Sequence, residues 1–325
     1  MRLLPLLILL LAPALLQAGE LRRATLAAEP GTPGSRDRDY ALYVPEGLPA
    51  DGSAPLVTIL HGCKQTNDDM IEQTGFRALA DAEGFAVLFP FVTSFEGWRN
   101  PNCWGFWEEE HQREGAGEPG DIRRMMALAE SELGTDPARR YIAGLSSGAA
   151  MSVVMAVAYS EDIAAAGAVA GLGYAEDAWA VRILPGCTIP TLRDDPEEMA
   201  AEMEAEQDAP GERRLVPLMV IHSLNDCRVP VENGQNLAAS WIRFYAALPD
   251  PVWQEDCSTA AMPCNHARFA DAAGRTVTET VFFEGPDIIE THFWPGDGEG
   301  EFANPDGPSA TALLWGFFEE KRLDP

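Results

Sequence analysis

The stretch Tyr141-Ile142-Ala143-Gly144-Leu145-Ser146-Ser147-Gly148-Ala149-Ala150 constrains this chain's fold more than any other. An apolar run ends at Gly144, and small, helix-compatible residues from Ala149 to Tyr159 follow at once. Between them lies G-x-S-x-G, the pattern of a sharp strand-to-helix turn that lifts a serine hydroxyl clear of a sheet. Flanking glycines let neighbouring backbone pass close, and the helix N-terminus behind the serine favours developing negative charge. Alone the pattern is weak, because Gly and Ser are common; a strand before it and a helix after it make it specific. Ser146 is therefore a candidate nucleophile, and the plain alternative is an ordinary Gly/Ser turn.

Pro55-Leu56-Val57-Thr58-Ile59-Leu60 and Phe85-Ala86-Val87-Leu88-Phe89-Pro90 are continuous apolar runs, the composition of parallel strands covered on both faces. Ala164–Ala170 and Leu215–Ile221 read the same way, and Arg140 opens the strand that enters the Ser146 turn. Leu21–Ala28 and Tyr40–Val44 read as two edge strands, and Thr276–Phe283 alternates as a strand near an edge does. Helices fall between them. Asn67 and Asp68 cap one that Gly84 stops; Asp121 caps another running to Leu133; others cover Asn233–Ala247 and Ala310–Lys321. Such alternation specifies the α/β class, a doubly wound, mostly parallel sheet in a single domain. Two stretches stand apart. Residues 91–119, with Trp98, Trp104 and Trp107, form a long loop of the kind that is usually functional. Residues 172–214 carry an acidic helix over Glu197–Glu206 and read as a solvated insertion, with a lid as the alternative.

With 325 residues and 46% hydrophobic composition, the chain can bury roughly three quarters of its unfolded surface in one core. Met1-Arg2, the apolar run Leu3–Leu16 and the small Ala18 form a signal-peptide pattern. Residues 1–18 are thus expected to be removed on export, leaving residues 19–325 as an α/β domain in periplasm or medium. That first run is short for a bilayer span, and no second one follows. The 6 cysteines, Cys63, Cys103, Cys187, Cys227, Cys257 and Cys264, suit an oxidising compartment and suggest disulfides, with connectivity open. Cys257 and Cys264 flank a short loop and are the first pair. No Cys/His spacing matches a zinc site, so neither a metal nor a cofactor is expected. A net charge of −28 argues against nucleic acid and anionic membrane as partners.

A serine nucleophile needs a base, and the base an orienting acid; in this fold class the chain order is Ser, Asp or Glu, then His. His222, His266 and His292 follow Ser146. His222 stands at a strand end, where packing or support of a site explains it, and His266 lies beside Cys264. His292, in Thr291-His292-Phe293-Trp294-Pro295-Gly296, falls between the last strand and last helix, where the base must arrive. Asp226 directly follows the Leu215–Ile221 strand, with a salt bridge to Arg228 as its plain explanation. Both sit at carboxyl ends of strands, the edge that carries the ligand crevice. The expected roles are Ser146 as nucleophile, His292 as base and Asp226 as acid. The oxyanion donors would be the N–H of Ser147 and one from the loop after His61-Gly62, Cys63 or Lys64.

Leu60-His61-Gly62-Cys63-Lys64-Gln65, Asn100-Pro101-Asn102-Cys103-Trp104-Gly105-Phe106-Trp107, Gly144-Leu145-Ser146-Ser147-Gly148 and the His292–Gly296 run together resemble the polyhydroxyalkanoate (PHB) depolymerase-type esterases, relatives of feruloyl and acetylxylan esterases. The matching motifs run from about Tyr40 to the C-terminal helix. The resemblance implies an α/β-hydrolase fold, ester hydrolysis through an acyl-enzyme on Ser146, Asp226 and His292, and a Cys63–Cys103 bridge tying the oxyanion loop to the tryptophan loop. Cys187 is then left for Cys227. It implies hydroxyalkanoate oligomers, polyester or related short acyl esters as substrates, with feruloyl- or acetylxylan-type carbohydrate esters as the alternative. Trp98, Trp104 and Trp107 would line an acyl or aryl pocket or pack beneath their loop, and Phe293 and Trp294 would border the site. Two departures stand out. Lys64 occupies the place of a small polar residue, and the chain ends soon after the catalytic fold, without the binding domain that degraders of solid polyester often append. Oligomers and soluble esters are therefore expected before crystalline polymer. The rivals are a prolyl-oligopeptidase-like peptidase, which has no room here for its extra domain, and a non-catalytic hydrolase-fold binder or acidic solute binder, against which the complete set of three residues counts.

Overall fold

The apolar runs do form the centre of a sheet. The computed structural model describes residues 19–92, 102–176, 195–207, 214–286 and 291–323; the leader expected over residues 1–18 lies outside them. The strands are β1 (Glu20–Leu26), β2 (Arg38–Val44), β3 (Leu56–Leu60), β4 (Ala86–Pro90), β5 (Arg140–Leu145), β6 (Ala165–Val169), β7 (Leu218–Ser223), β8 (Trp253–Asp256), β9 (Cys264–Ala270) and β10 (Thr276–Phe283). They join in one 10-stranded sheet of order β1-β2-β4-β3-β5-β6-β7-β10-β9-β8. The run from β4 to β10 is parallel, and both flanks are antiparallel. A small pair, β11 (Trp294–Pro295) and β12 (Ala303–Asn304), lies apart.

Seven α-helices accompany the strands among the described residues: α1 (Asn67–Gln73), α2 (Phe76–Glu83), α3 (Gly117–Leu133), α4 (Ser147–Ala158), α5 (Pro196–Gln207), α6 (Val231–Phe244) and α7 (Ala310–Glu319). Alternate residues of each central strand serve opposite layers. Leu56, Leu88, Ile142, Ala166 and Val220 pack with α3, α4, α5 and α6, whereas Val57, Val87, Tyr141, Ala165 and Met219 pack with α1, α2 and α7. This strand order with helices on both faces is the α/β-hydrolase fold. Among the described residues, no helix is long and apolar enough to cross a membrane.

Local chemistry sets several boundaries away from their expected places. The helix expected from Asn67 to Gly84 is two helices, broken at Gly75, whose φ of 70° ends the first course. Thr66, not Asn67 or Asp68, caps α1, through a capping box with Asp69. Asp121 caps nothing: α3 begins at Gly117, and Asp121 lies within it, buried, taking the fully buried Arg38 Nε at 2.7 Å. β10 is not near an edge, because the β8–β9 hairpin adds two strands outside it, its turn closed by the Cys257–Cys264 disulfide. The acidic helix is present as α5; it turns Met199 and Met203 into the core against α6 and leaves its glutamates outward.

Candidate active site

β5 ends in the turn that its glycines foretold. Ser146 sits at φ 56°, ψ −119°, a strained conformation for a residue with a side chain. Its N–H donates to Val169 O at 2.9 Å, and its carbonyl accepts from Ala150 N at 3.0 Å, so strand and helix both hold the turn. The flanking glycines are steric necessities. A Cβ on Gly144 would lie 2.5 Å from Gly148 C, and one on Gly148 would lie 2.4 Å from Leu60 O. Ser147 opens α4, where the first backbone N–H groups have no helical partner and are free to bind an anion.

Asp226 and His292 arrive from neighbouring strands. Leu145, Val169 and Ile221 are in register across β5, β6 and β7, and β10 runs beside β7. Asp226 follows β7; its Oδ1 accepts from the backbone N–H of Arg228 (2.9 Å) and Val229 (3.0 Å). The Arg228 guanidinium lies over the Phe302 ring, so the main chain of Arg228 is what Asp226 takes. Asp226 Oδ2 accepts from His292 Nδ1 at 2.7 Å. With the proton on Nδ1, the imidazole presents the lone pair of Nε2. Burial would raise the Asp226 carboxyl, but His292 and His222 hold it well below the usual carboxylate range. Ser146 and His292 share this edge without a mutual hydrogen bond among the described residues, and such bonds commonly tighten only with substrate.

Three supports are hidden in the sequence. His222 Nε2 lies 2.8 Å from Val229 O and 3.5 Å from Asp226 Oδ2. The Thr291 hydroxyl donates to Asn225 O, and Asn225 Nδ2 donates to Gly285 O at 3.0 Å, tying the His292 loop to the Asp226 loop. His61, fully enclosed, donates from Nδ1 to Gly62 O (2.8 Å) and accepts from Val92 N on Nε2 (3.2 Å). Burial pushes its pKa down to about 4. Each supporting residue is a near neighbour in sequence of a motif residue, the only signal that could have found it.

The loop after His61 is a tight turn: Gln65 N donates to Gly62 O at 3.2 Å, and Gly62 N donates to the Gln65 side chain at 2.7 Å. Those bonds leave the N–H groups of Cys63 and Lys64 unclaimed among the described residues and beside Ser146, whose Cβ lies 3.2 Å from a Cβ built on Gly62. The Cys63–Cys103 disulfide spans 40 residues to pin this turn to the tryptophan loop. Cys187, the expected partner of Cys227, lies outside the described residues, as does Trp98.

The tryptophans divide. Trp104 is wholly buried with Nε1 on His61 O (2.9 Å). Trp294, expected at the border of the site, is instead core: it is 1% exposed, edge-on to Phe76, with Nε1 on Asp297 and Thr311. Trp107 alone of the three is half-buried, against Phe106, with surface left over. A group of potential metal ligands, Glu108, Glu110 and His111, lies on the same loop. His111 Nδ1 accepts from Glu118 N at 3.0 Å. Its proton is therefore on Nε2, the nitrogen that faces Glu108 at 3.3 Å and Glu110 at 3.6 Å, so that nitrogen has no lone pair to offer an ion.

Residues 38–250 match the family model described as Esterase PHB depolymerase. The chain is 38% identical to poly(3-hydroxyalkanoate) depolymerase C of Paucimonas lemoignei over 132 residues, covering 41% of this chain and 31% of that protein. It is 29% identical to acetylxylan esterase A of Aspergillus ficuum over 213 residues, covering 62% and 65%. It thus spans less than two thirds of the length of either curated relative. Among solved structures, the acetyl xylan esterase from Aspergillus awamori superposes with a TM-score of 0.63 at 21% identity, over 82% of this chain and 93% of that one. That likeness supports the fold.

Proposed function

Since the chain belongs to the PHB depolymerase esterase family, we propose that it is an exported serine hydrolase of carboxylic esters with Ser146, His292 and Asp226 as its catalytic triad. One observation carries the reading: a buried His292–Asp226 pair at 2.7 Å stands on the strand edge that also carries the strained Ser146 turn. Ser146 Oγ attacks the ester carbonyl while His292 Nε2 takes its proton, and Asp226 holds the tautomer and the imidazolium. The N–H groups of Ser147 and Cys63 take the oxyanion, each worth about 3 kcal/mol of barrier. Collapse expels the alcohol, which receives the proton from His292. Water, deprotonated by the same nitrogen, then cleaves the acyl-serine and releases the acid. Export is supported by the disulfides Cys63–Cys103 and Cys257–Cys264, since such bonds persist in oxidising compartments.

Hydroxyalkanoate oligomers and related short acyl esters are the substrate class we favour, from the family model and the depolymerase relative. A second reading, an acetylated or feruloylated polysaccharide, draws on the longer alignment to the acetylxylan esterase. The test is hydrolysis of p-nitrophenyl acetate, hydroxybutyrate oligomers, acetylated xylan and a feruloyl ester by the parent protein and Ser146→Ala. Turnover by the parent and a fall of about 10⁴ or more in the variant are expected; turnover that survived the substitution would refute the serine mechanism. Whichever ester has the highest kcat/KM selects between the two substrate readings.

A further inference from the structure

The oxyanion turn exposes one side chain. Gly62, Cys63 and Gln65 are buried, and Lys64 between them is exposed. It holds φ at 67°, a left-handed conformation that suits Gly or Asn and costs a lysine. The chain has only two lysines. Lys321 pairs with Glu320 and caps the Phe317 ring. Lys64 has no carboxylate partner and no ring contact among the described residues. That is unusual in a chain of net charge −28, where Arg22, Arg23, Arg123, Arg140, Arg243 and Arg268 each hold a carboxylate. The acids nearest in sequence are already engaged, Asp68 by Arg23 and Asp69 by Thr66.

Taking the ester-hydrolase reading as its basis, we propose that Lys64 selects substrates: its ammonium binds a carboxylate carried by the acyl or alcohol part of the ester. The backbone of the turn is fixed by the Cys63 disulfide, the Gly62–Gln65 bonds and the Asn102 side chain on Gln65 O (3.3 Å), so the lysine stem leaves from a fixed point on the turn that carries the oxyanion donor. The rest of the surface repels anions. A cation that springs from this turn therefore acts as a local filter rather than a general attractor. Free acid ends of hydroxy-acid oligomers and uronate-bearing sugar esters share this chemistry.

The experiment compares kcat/KM for mono-p-nitrophenyl glutarate, which is anionic, with that for neutral p-nitrophenyl valerate, in the parent protein and in Lys64→Asn, Lys64→Glu and Lys64→Arg. Asn tolerates positive φ, so the first variant keeps the turn. The anionic-to-neutral ratio is expected to fall about tenfold in Lys64→Asn through KM, to fall further in Lys64→Glu, and to recover in Lys64→Arg. Raising salt should erode the parent's preference. An unchanged ratio in Lys64→Asn and Lys64→Glu overturns the proposal, and so does an equal loss for both esters, which would mean that the charge acts on the oxyanion itself. Turnover of neither ester by the parent sinks the hydrolase reading and this inference with it, an outcome distinct from both. Two natural pairs then separate the sources: a 3-hydroxybutyrate dimer against its methyl ester, and acetylated glucuronic acid against acetylated glucose. A Lys64-dependent preference in either pair names the source, and its absence from both overturns the proposal.

Discussion

Two buried histidine–carboxylate pairs lie in this molecule at almost the same separation: His292 with Asp226 at 2.7 Å, and His266 with Glu279 at 2.6 Å. Burial would raise both carboxyls, and in both the hydrogen-bonding neighbours, His292 and His222 for Asp226, His266 and Arg268 for Glu279, hold them down instead. Distance and electrostatics do not tell them apart. Their surroundings do. Glu279 lies within β10 and gives its second oxygen to Arg268 at 2.7 Å, while Trp253 closes edge-on over the His266 ring and Glu255 stands 3.6 Å from Nδ1. The His266 ring is thus enclosed within the sheet flank, although its buried Nδ1 makes no hydrogen bond among the described residues. His292 leaves Nε2 without a bond among the described residues, in a loop at the carboxyl edge that also carries the strained Ser146 turn. Both rings keep a nitrogen without a hydrogen bond among the described residues, so a pair becomes a candidate for chemistry through its place on the sheet.

The largest expected effect tests this contrast directly. Asp226→Asn should lower kcat/KM on p-nitrophenyl acetate by about 10⁴, because the imidazole loses its tautomer. Glu279→Gln should leave that rate within a few-fold and instead lower the unfolding free energy by about 3 kcal/mol in urea, because it leaves His266 and Arg268 with an unmatched site. A comparable rate loss in Glu279→Gln would erase the distinction between the pairs.

The same contrast explains how far the amino-acid sequence by itself is legible. The Ser146 turn, the two loops carrying Asp226 and His292, and the strands beneath them can be read because each is a run of apolar residues ending in small or polar ones. The flank holding His266 cannot. β8 is Trp253-Gln254-Glu255-Asp256, exposed along its whole length, so no burial rhythm marks it, and the flanking cysteines suggest a loop rather than a hairpin. Without that hairpin, β10 falls near an edge. Trp294 misleads for a related reason: an aromatic next to a motif histidine suggests a pocket wall, yet the carboxylate of Asp297 and the hydroxyl of Thr311 hold its indole in the core. Long-range polar partners such as Arg38 and Asp121, 83 residues apart, leave no local pattern at all.

His61 sharpens the comparison as a buried histidine with no carboxylate in bonding reach. Its folded pKa is depressed from 6.5 to about 4, so between those values the unfolded chain binds a proton that the folded chain refuses. Stability should therefore fall as pH drops through that window, by up to about 3 kcal/mol. Asp226 and Glu279 act in a lower window. Their depressed carboxyls contribute stability above the unfolded values of 3.8 and 4.5, and it is lost as pH falls further. Urea unfolding from pH 7 to 3 should show both phases, and His61→Gln should flatten only the upper one. An unaltered upper slope would mean that His61 is not its source.

The smallest effect concerns strain, which the two regions do not share. Lys64, Asn102, Ser146 and Ala170 all hold positive φ around the candidate site, whereas no described non-glycine residue of β8, β9 or β10 does. Strain of this kind persists where the surroundings over-determine it, and it is often kept for function. Relieving it at Lys64 without touching the nucleophile separates its cost from its use. Lys64→Gly would confuse the two, because glycine also loosens the unfolded chain. Lys64→Asn avoids that and should raise the unfolding free energy by about 0.5–1 kcal/mol, read as a higher urea midpoint at unchanged slope. A gain in stability alongside a loss of preference for anionic esters would mark a residue kept for its charge at the expense of its backbone. A loss of stability instead would mean that the lysine stem packs usefully on the turn, and that the left-handed backbone is no sign of selection for charge.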